Sequence, residues 1–292
     1  MKWVVCAGLL TTCAHSPASA AAVLVPGTLE SGGRTRSYVS WQAAKGAALV
    51  ISLHGRLGRG EGQAKLSGLV PIAMREGFTV VFPDGIDRSW SDARGVGPAA
   101  KQGVDDVAFL SALIDEFVAK GADPSRVYLL GMSNGGFMSL TAACRLADKL
   151  AAVASITGGL STKLQADCPM SRPVPVALFL GTEDPLVPFN GGQVAGDRGE
   201  VTSAGDAARF FAGKNGCSLE PEKQSLPDLD PSDGTRVEQQ VFGGCGAPVE
   251  LFVVTGGGHA WPGSQVFRSQ GRASKDLDAS EAAWAFFKRF AR

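Results

Sequence analysis

The chain has 292 residues, 45% of them hydrophobic and 19% charged, enough for a sizeable core and commonly a single domain in an α/β protein of this length. Lysine plus arginine and aspartate plus glutamate each number 28, so the formal charge is zero, and no long basic run is present. That removes the electrostatic basis for binding nucleic acid or any other polyanion.

The N-terminus reads as an export signal. Lys2 gives a short positive region, "WVVCAGLLTTCA" an apolar core, and Ala18-Ser19-Ala20 a small-residue cleavage site. The expected organisation is a signal peptide over 1–20 and one catalytic domain over 21–292, exported to the periplasm or beyond. The apolar core is too short to span a bilayer and no later run reaches that length, so no membrane span is expected. A lipid-modified Cys13 is the competing reading, and "LTTC" weakens it by putting threonine where a smaller residue is usual.

Beyond the signal, apolar runs alternate with helical stretches. "SYVSW" (37–41) and "ALVISLHG" (48–55) read as strands, "AKLSGLVPIAMREG" as a helix that Pro71 kinks or starts, and "FTVVFPDG" as a strand. "DDVAFLSALIDEFVAKG" carries Val107, Leu110, Leu113, Ile114 and Phe117 on one helical face. "RVYLLG" is a strand that runs into the helical "GFMSLTAACRLADKL". "AAVASITGG" and "VPVALFLGTED" are strands, "SAGDAARFFAGKNG" a helix, "VELFVVTGGGH" a strand and "DASEAAWAFFKRF" a closing helix. Residues 218–236 read as a polar surface excursion and 262–278 as a second long connection. The alternation predicts an α/β fold, a mainly parallel central sheet with helices on both faces, whose ligands gather at the carboxyl ends of the strands.

One of those ends holds Gly131-Met132-Ser133-Asn134-Gly135. Glycine two before and two after a serine, between a strand and a helix, marks a turn too tight for side chains, which holds the serine strained with its hydroxyl exposed. Ser133 is therefore the candidate nucleophile, and a serine hydroxyl needs a base. Of three histidines, His15 belongs to the signal and His54 precedes the serine in an "HG" step, which leaves His259 after the last strand. The acid that orients it should lie between the two; Asp184 follows a strand and is stiffened by Pro185 and Pro188, with Glu183 as the rival. For the oxyanion of a tetrahedral intermediate, the N–H of Asn134 and the N–H of Arg56 are the candidate donors, His54 shaping the latter's loop.

After signal removal four cysteines remain, Cys144, Cys168, Cys217 and Cys245, an even number in an oxidising compartment. Two disulfides are expected; of three connectivities the nearest-neighbour one is taken, with reduced buried thiols as the alternative. No CxxC pair or histidine cluster supports zinc, and no metal or other cofactor is expected.

In order along the chain, "LHG", "PDGIDRSWSD", "GVDDVAFL", "GMSNGGFM", "GTEDPLVPFNGG" and "GGGHAWPG" resemble the secreted polyhydroxybutyrate depolymerase and feruloyl esterase family of α/β-hydrolases, from about residue 35 to the end. The resemblance implies a Ser133, Asp184, His259 triad, a carboxylic ester substrate and disulfides local to each cysteine pair. "SWSDAR" departs from the family's "SWNDGR" at Ser91 and Ala93. Trp90 and Trp261 then become candidate substrate-binding residues that line the cleft and stack on an aromatic or sugar ring, against the reading that they pack the loops. Trp41, Trp284, Phe137 and Phe210 read as core. The function expected is a secreted serine carboxylesterase of the feruloyl or acetyl type acting on plant-wall esters, small or oligomeric. A depolymerase of polyhydroxybutyrate or short hydroxyalkanoate oligomers is the alternative.

Overall fold

Leu49 to Leu53 and Val127 to Met132 are buried at every position, which suits interior strands covered on both faces. The structure, a computed structural model, describes residues 23–264 and 270–292. The expected signal peptide lies outside the described residues, as does part of the 262–278 connection. In chain order the strands are β1 (Val25–Ser31), β2 (Arg34–Trp41), β3 (Leu49–Leu53), β4 (Thr79–Pro83), β5 (Val127–Met132), β6 (Ala152–Ile156), β7 (Val176–Gly181), β8 (Gly192–Gln193), β9 (Glu200–Val201), β10 (Glu222–Ser225), β11 (Arg236–Phe242) and β12 (Val249–Thr255). The helices are α1 (Gly60–Ser67), α2 (Leu69–Glu76), α3 (Pro98–Lys101), α4 (Asp106–Ala119), α5 (Asn134–Arg145), α6 (Thr162–Ala166), α7 (Ala204–Asn215) and α8 (Ala279–Phe287).

Ten strands form one sheet in the order β1-β2-β4-β3-β5-β6-β7-β12-β11-β10. The six from β4 to β12 run parallel, and antiparallel pairs close both edges. This is the α/β-hydrolase architecture. Alternate residues of each interior strand serve opposite faces, as the period of two requires. Leu49, Ile51 and Leu129 join Leu110, Leu113, Met138 and Phe211 from α4, α5 and α7. Val50, Tyr128 and Leu130 join Ile72, Ala73, Trp284 and Phe287 from α2 and α8. The strand order reverses between β3 and β5, which opens a crevice at their carboxyl ends.

Several elements differ from expectation. The single helix over "AKLSGLVPIAMREG" is two, broken where Gly68 turns left-handed (φ 61°), and Pro71 sits in the first turn of α2, where its missing N–H costs nothing. The 218–236 excursion contains β10, and β11 follows it. Every residue of "EKQS" is exposed, and β11 buries only Val237 and Phe242, so neither carries the alternation that betrays a strand. The β1 edge strand went unread for the same reason, being buried nowhere along its length. Among the described residues, no helix is long and apolar enough to cross a membrane.

Cys144 at the end of α5 is bonded to Cys168, and Cys217 after α7 to Cys245. The second loop closes over a separation of 28 residues, for which chain entropy suggests about 3 to 4 kcal/mol. The Cys217→Ser, Cys245→Ser double variant should therefore unfold at clearly lower urea concentration than the oxidised wild type. An unchanged midpoint would show that the bond contributes nothing.

Candidate active site

The tight turn after β5 has a measurable cause. A Cβ on Gly131 would stand 2.5 Å from the carbonyl carbon of Gly135, one on Gly136 would stand 2.5 Å from Ser155 Oγ, and one on Gly135 would strike the carbonyl oxygen of Leu53. Helix α5 thus begins in contact with β3 and β6, and the chain must turn within one residue. Ser133 takes that turn at φ 54°, ψ −117°, a strained conformation costing on the order of 1 to 3 kcal/mol. Its own N–H donates to the Ile156 carbonyl at 2.8 Å, and its carbonyl accepts from Phe137 N–H at 2.9 Å, so both sides of the strained residue are tied down.

Asp184 and His259 follow β7 and β12, neighbours in the sheet, at the same carboxyl edge as Ser133. Asp184 Oδ1 accepts the N–H groups of Leu186 (2.7 Å) and Val187 (2.9 Å), which fixes the carboxylate and turns Oδ2 to His259 Nδ1 at 2.7 Å. With Nδ1–H given to the carboxylate, the imidazole presents Nε2 as its proton acceptor. His259 is only 6% exposed, and its main chain is held by a two-way bridge to Gln270. The rival Glu183 points elsewhere: it is exposed and meets Arg272 at 3.2 Å.

The N–H of Asn134 is the first of α5 and has no acceptor within the helix. On the facing loop, Leu57 N–H donates to Arg88 O and Gly58 N–H to Gly55 O, which leaves Arg56 as the residue of 56–58 whose N–H has no acceptor among the described residues. Gly55 brings this loop against Ser133, since a Cβ there would lie 3.5 Å from Ser133 Cβ. His54 holds the loop. Its Nε2 accepts Gly85 N–H at 2.9 Å, so Nδ1 carries the proton and donates to Gly55 O at 2.7 Å.

The two tryptophans are not on a cleft wall. Trp90 is fully buried, its ring 4.9 Å from that of His54 and its Nε1–H donated to His54 O at 2.8 Å. Trp261 is 2% exposed in the α2/α8 core and donates Nε1–H to Ser280 Oγ at 3.1 Å. Both expectations of substrate stacking are therefore corrected: an indole with a buried N–H partner and no exposed face has nothing to offer a ligand. Phe137 also departs from the main core and packs with Val187, Val194 and Val201 under the β8–β9 lobe.

What sequence reasoning missed is how Asn134 is held. Its Oδ1 accepts Trp90 N–H at 2.8 Å, and its Nδ2 donates to Trp90 O at 3.0 Å and Asp92 Oδ2 at 2.7 Å. Asp92 is paired in turn with Arg94, whose guanidinium lies 3.6 Å over the Phe137 ring. Ser91 N–H donates to Asp106, and Asp106 pairs with the equally buried Arg36. Burial pushes the Asp106 carboxyl up from its ordinary value, against the pull of Arg36. The only signal for this network was the motif "SWSDAR" itself. Its departures matter little to the anchoring, because Ser91 and Ala93 are both held through their backbone N–H groups.

With this geometry in view, comparison with known proteins gives a consistent result. The model of the phospholipase/carboxylesterase family matches residues 36–198, and the chain belongs to that family. It is 34% identical over 222 residues to feruloyl esterase B of Piromyces equi, covering 74% of this chain but 40% of that longer relative. It is 31% identical over 250 residues to NocK of Nocardia uniformis subsp. tsuyamanensis, a protein assigned as an esterase, covering 79% of this chain and 72% of the relative. The solved acetyl xylan esterase from Aspergillus awamori shares the fold at TM-score 0.61 and 13% identity, over 87% of this chain and 94% of that one.

The buried latch at His54 should make stability depend on pH. Burial lowers its pKa from the ordinary histidine value; the hydrogen bond to Gly55 O and then Asp84 oppose this, while Arg59 and Arg88 add to it. The unfolded chain therefore takes up a proton near pH ~6.5 that the folded one refuses, and acid favours unfolding. The stability advantage of wild type over His54→Gln should be full above about pH 6.5 and shrink as the pH falls toward the lowered value. Thermal midpoints of both proteins across that window test this; a gap that widens in acid would contradict it.

Proposed function

We propose that this protein is a secreted serine carboxylesterase that works through an acyl-enzyme, with residues 1–20 as its export signal and 21–292 as its catalytic domain. The observation that carries the reading is the fixed Asp184–His259 pair on the sheet edge that also bears the strained Ser133. Ser133 Oγ attacks the ester carbonyl as His259 Nε2 takes its proton, and Asp184 stabilises the imidazolium. The oxyanion that forms is met by the N–H groups of Asn134 and Arg56. As the intermediate collapses, His259 gives its proton to the departing alcohol. Water, activated by the same histidine, then releases the acid. Nothing in this sequence of steps calls for a metal or other cofactor.

The likeness to feruloyl esterase B of Piromyces equi supports an ester of the plant-wall type, feruloyl or acetyl. Two disulfides support an extracellular setting. A second reading, hydrolysis of short hydroxyalkanoate oligomers, is favoured by the burial of Trp90 and Trp261, which leaves neither ring free to stack on an aromatic acyl group.

Ser133→Ala should fold normally and lose on the order of 10⁴-fold or more in kcat on 4-nitrophenyl acetate. Substantial turnover in a pure preparation of that variant would remove Ser133 from the mechanism. Rates of the wild type on methyl ferulate, acetylated xylan and hydroxybutyrate oligomers then choose between the two readings. Trp261→Phe should cost roughly 1 kcal/mol of stability through the lost hydrogen bond. It should leave the ratio of feruloyl to acetyl efficiency unchanged, and a selective loss on the feruloyl ester would place the ring back in the cleft.

A further inference from the structure

Two arginines beside the candidate site have no carboxylate to answer them. Arg56 follows β3 and is exposed; Arg198, between β8 and β9, is half-buried. Among the described residues neither side chain forms an ion pair or hydrogen bond, although Asp197 and Glu200 flank Arg198 in sequence. The stretches 1–22 and 265–269 contain no aspartate or glutamate that could supply a partner. Elsewhere the fold satisfies its buried guanidinium groups, Arg36 with Asp106 and Arg94 with Asp92.

Their placement brackets the nucleophile. Arg56 is next to Gly55, the residue packed against Ser133 Cβ. Arg198 belongs to the lobe that rests Val187, Val194 and Val201 on Phe137, one turn into α5, and bridges from Val201 to Ser161 beyond β6. Since β3 and β6 flank β5 on opposite sides, the two arginines approach the end of β5 from opposite sides. Burial first, then the charges of Arg56 and Arg94, hold Arg198 below its ordinary value. Arg94 is spent on Asp92, and its Nη1 donates to Arg198 O at 3.3 Å, which fixes the lobe's backbone. Two unanswered guanidinium groups beside a nucleophile, Arg56 exposed and Arg198 half-buried, make a fork for one carboxylate.

We propose that Arg56 and Arg198 form a carboxylate subsite, so that the preferred substrates are monoanionic esters with a carboxylate a few atoms from the scissile carbonyl, such as hydroxy-acid oligoesters with a free acid end. This rests on the esterase reading and narrows it. The carboxylate is bound and does not react.

The test uses two nearly isosteric esters, O-acetyl-3-hydroxybutyrate and O-acetyl-3-hydroxybutanamide, with 4-nitrophenyl acetate as a neutral reference. Wild type should favour the carboxylate over the amide by about tenfold or more in kcat/KM, chiefly through KM, and added salt should erode that ratio. Arg198→Gln should bring the ratio down about tenfold, and Arg198→Lys should restore part of it. A wild-type ratio near one, or equal losses on both esters in Arg198→Gln, overturns the subsite. If both acetyl esters are ignored while 4-nitrophenyl acetate is cleaved, the subsite alone falls. If none of the three is cleaved, the esterase reading falls with it.

Discussion

Helix α5 can start where it does because three glycines let its first turn touch the strands on either side of β5. Gly131, Gly135 and Gly136 each stand where a single added carbon would meet backbone or a buried hydroxyl. That contact sets the direction of α5, delivers its free N–H groups to the crevice between β3 and β5, and forces Ser133 into its strained turn. The strain of roughly 1 to 3 kcal/mol is tolerable because the surrounding sheet is covered on both faces. Ile156 O and Phe137 N–H then hold the strained residue from either side.

Around that fixed point the loops after β3 and β4 are tied to the helix and to each other. Asn134 connects α5 to Trp90 and Asp92; His54 joins Gly55 to Gly85; Trp90 Nε1 closes the circuit on His54 O. The circuit is buried, and so are the ion pairs that back it. In such surroundings an intact pair adds little net stability, while loss of one partner costs about 3 to 5 kcal/mol, because a charge is left without an answer. The value of Asp92–Arg94 and Arg36–Asp106 is therefore in position: they hold the Asn134 side chain and the Trp90–Ser91 backbone against the start of α5.

A formal charge of zero over the whole chain conceals how unevenly charge is arranged near the site. Asp184 is buried and faces a histidine, Asp92 and Asp106 are neutralised by buried arginines, and Arg56 and Arg198 stay unanswered. A net charge governs long-range attraction to polyanions, whereas a pair of neighbouring guanidinium groups acts on one small anion within a few ångströms. A zero net charge and a local carboxylate subsite are therefore compatible.

The sequence alone determined the parts of this protein that rest on local pattern. The β-α alternation marked the buried parallel strands, because continuous apolar runs have few other uses. The tight turn at Ser133 was legible because only glycine permits so close an approach on both sides of a serine. The shortage of histidines singled out His259, and the loop after "LFLG" offered Asp184. Tertiary structure decided whatever depended on distant neighbours. The edge strands β1 and β10, and β11 next to the edge, bury too little to show alternation, so only their pairing partners reveal them. Glu183 and Asp184 are adjacent in sequence, and two backbone N–H groups of the following turn settle which one faces the imidazole. Trp90 and Trp261 sit beside motif residues, yet each indole turns its N–H to a buried acceptor, a direction that sequence spacing does not encode. The isolation of Arg56 and Arg198 was hidden for the same reason: whether a charge has a partner depends on which side chains the fold brings within reach of it.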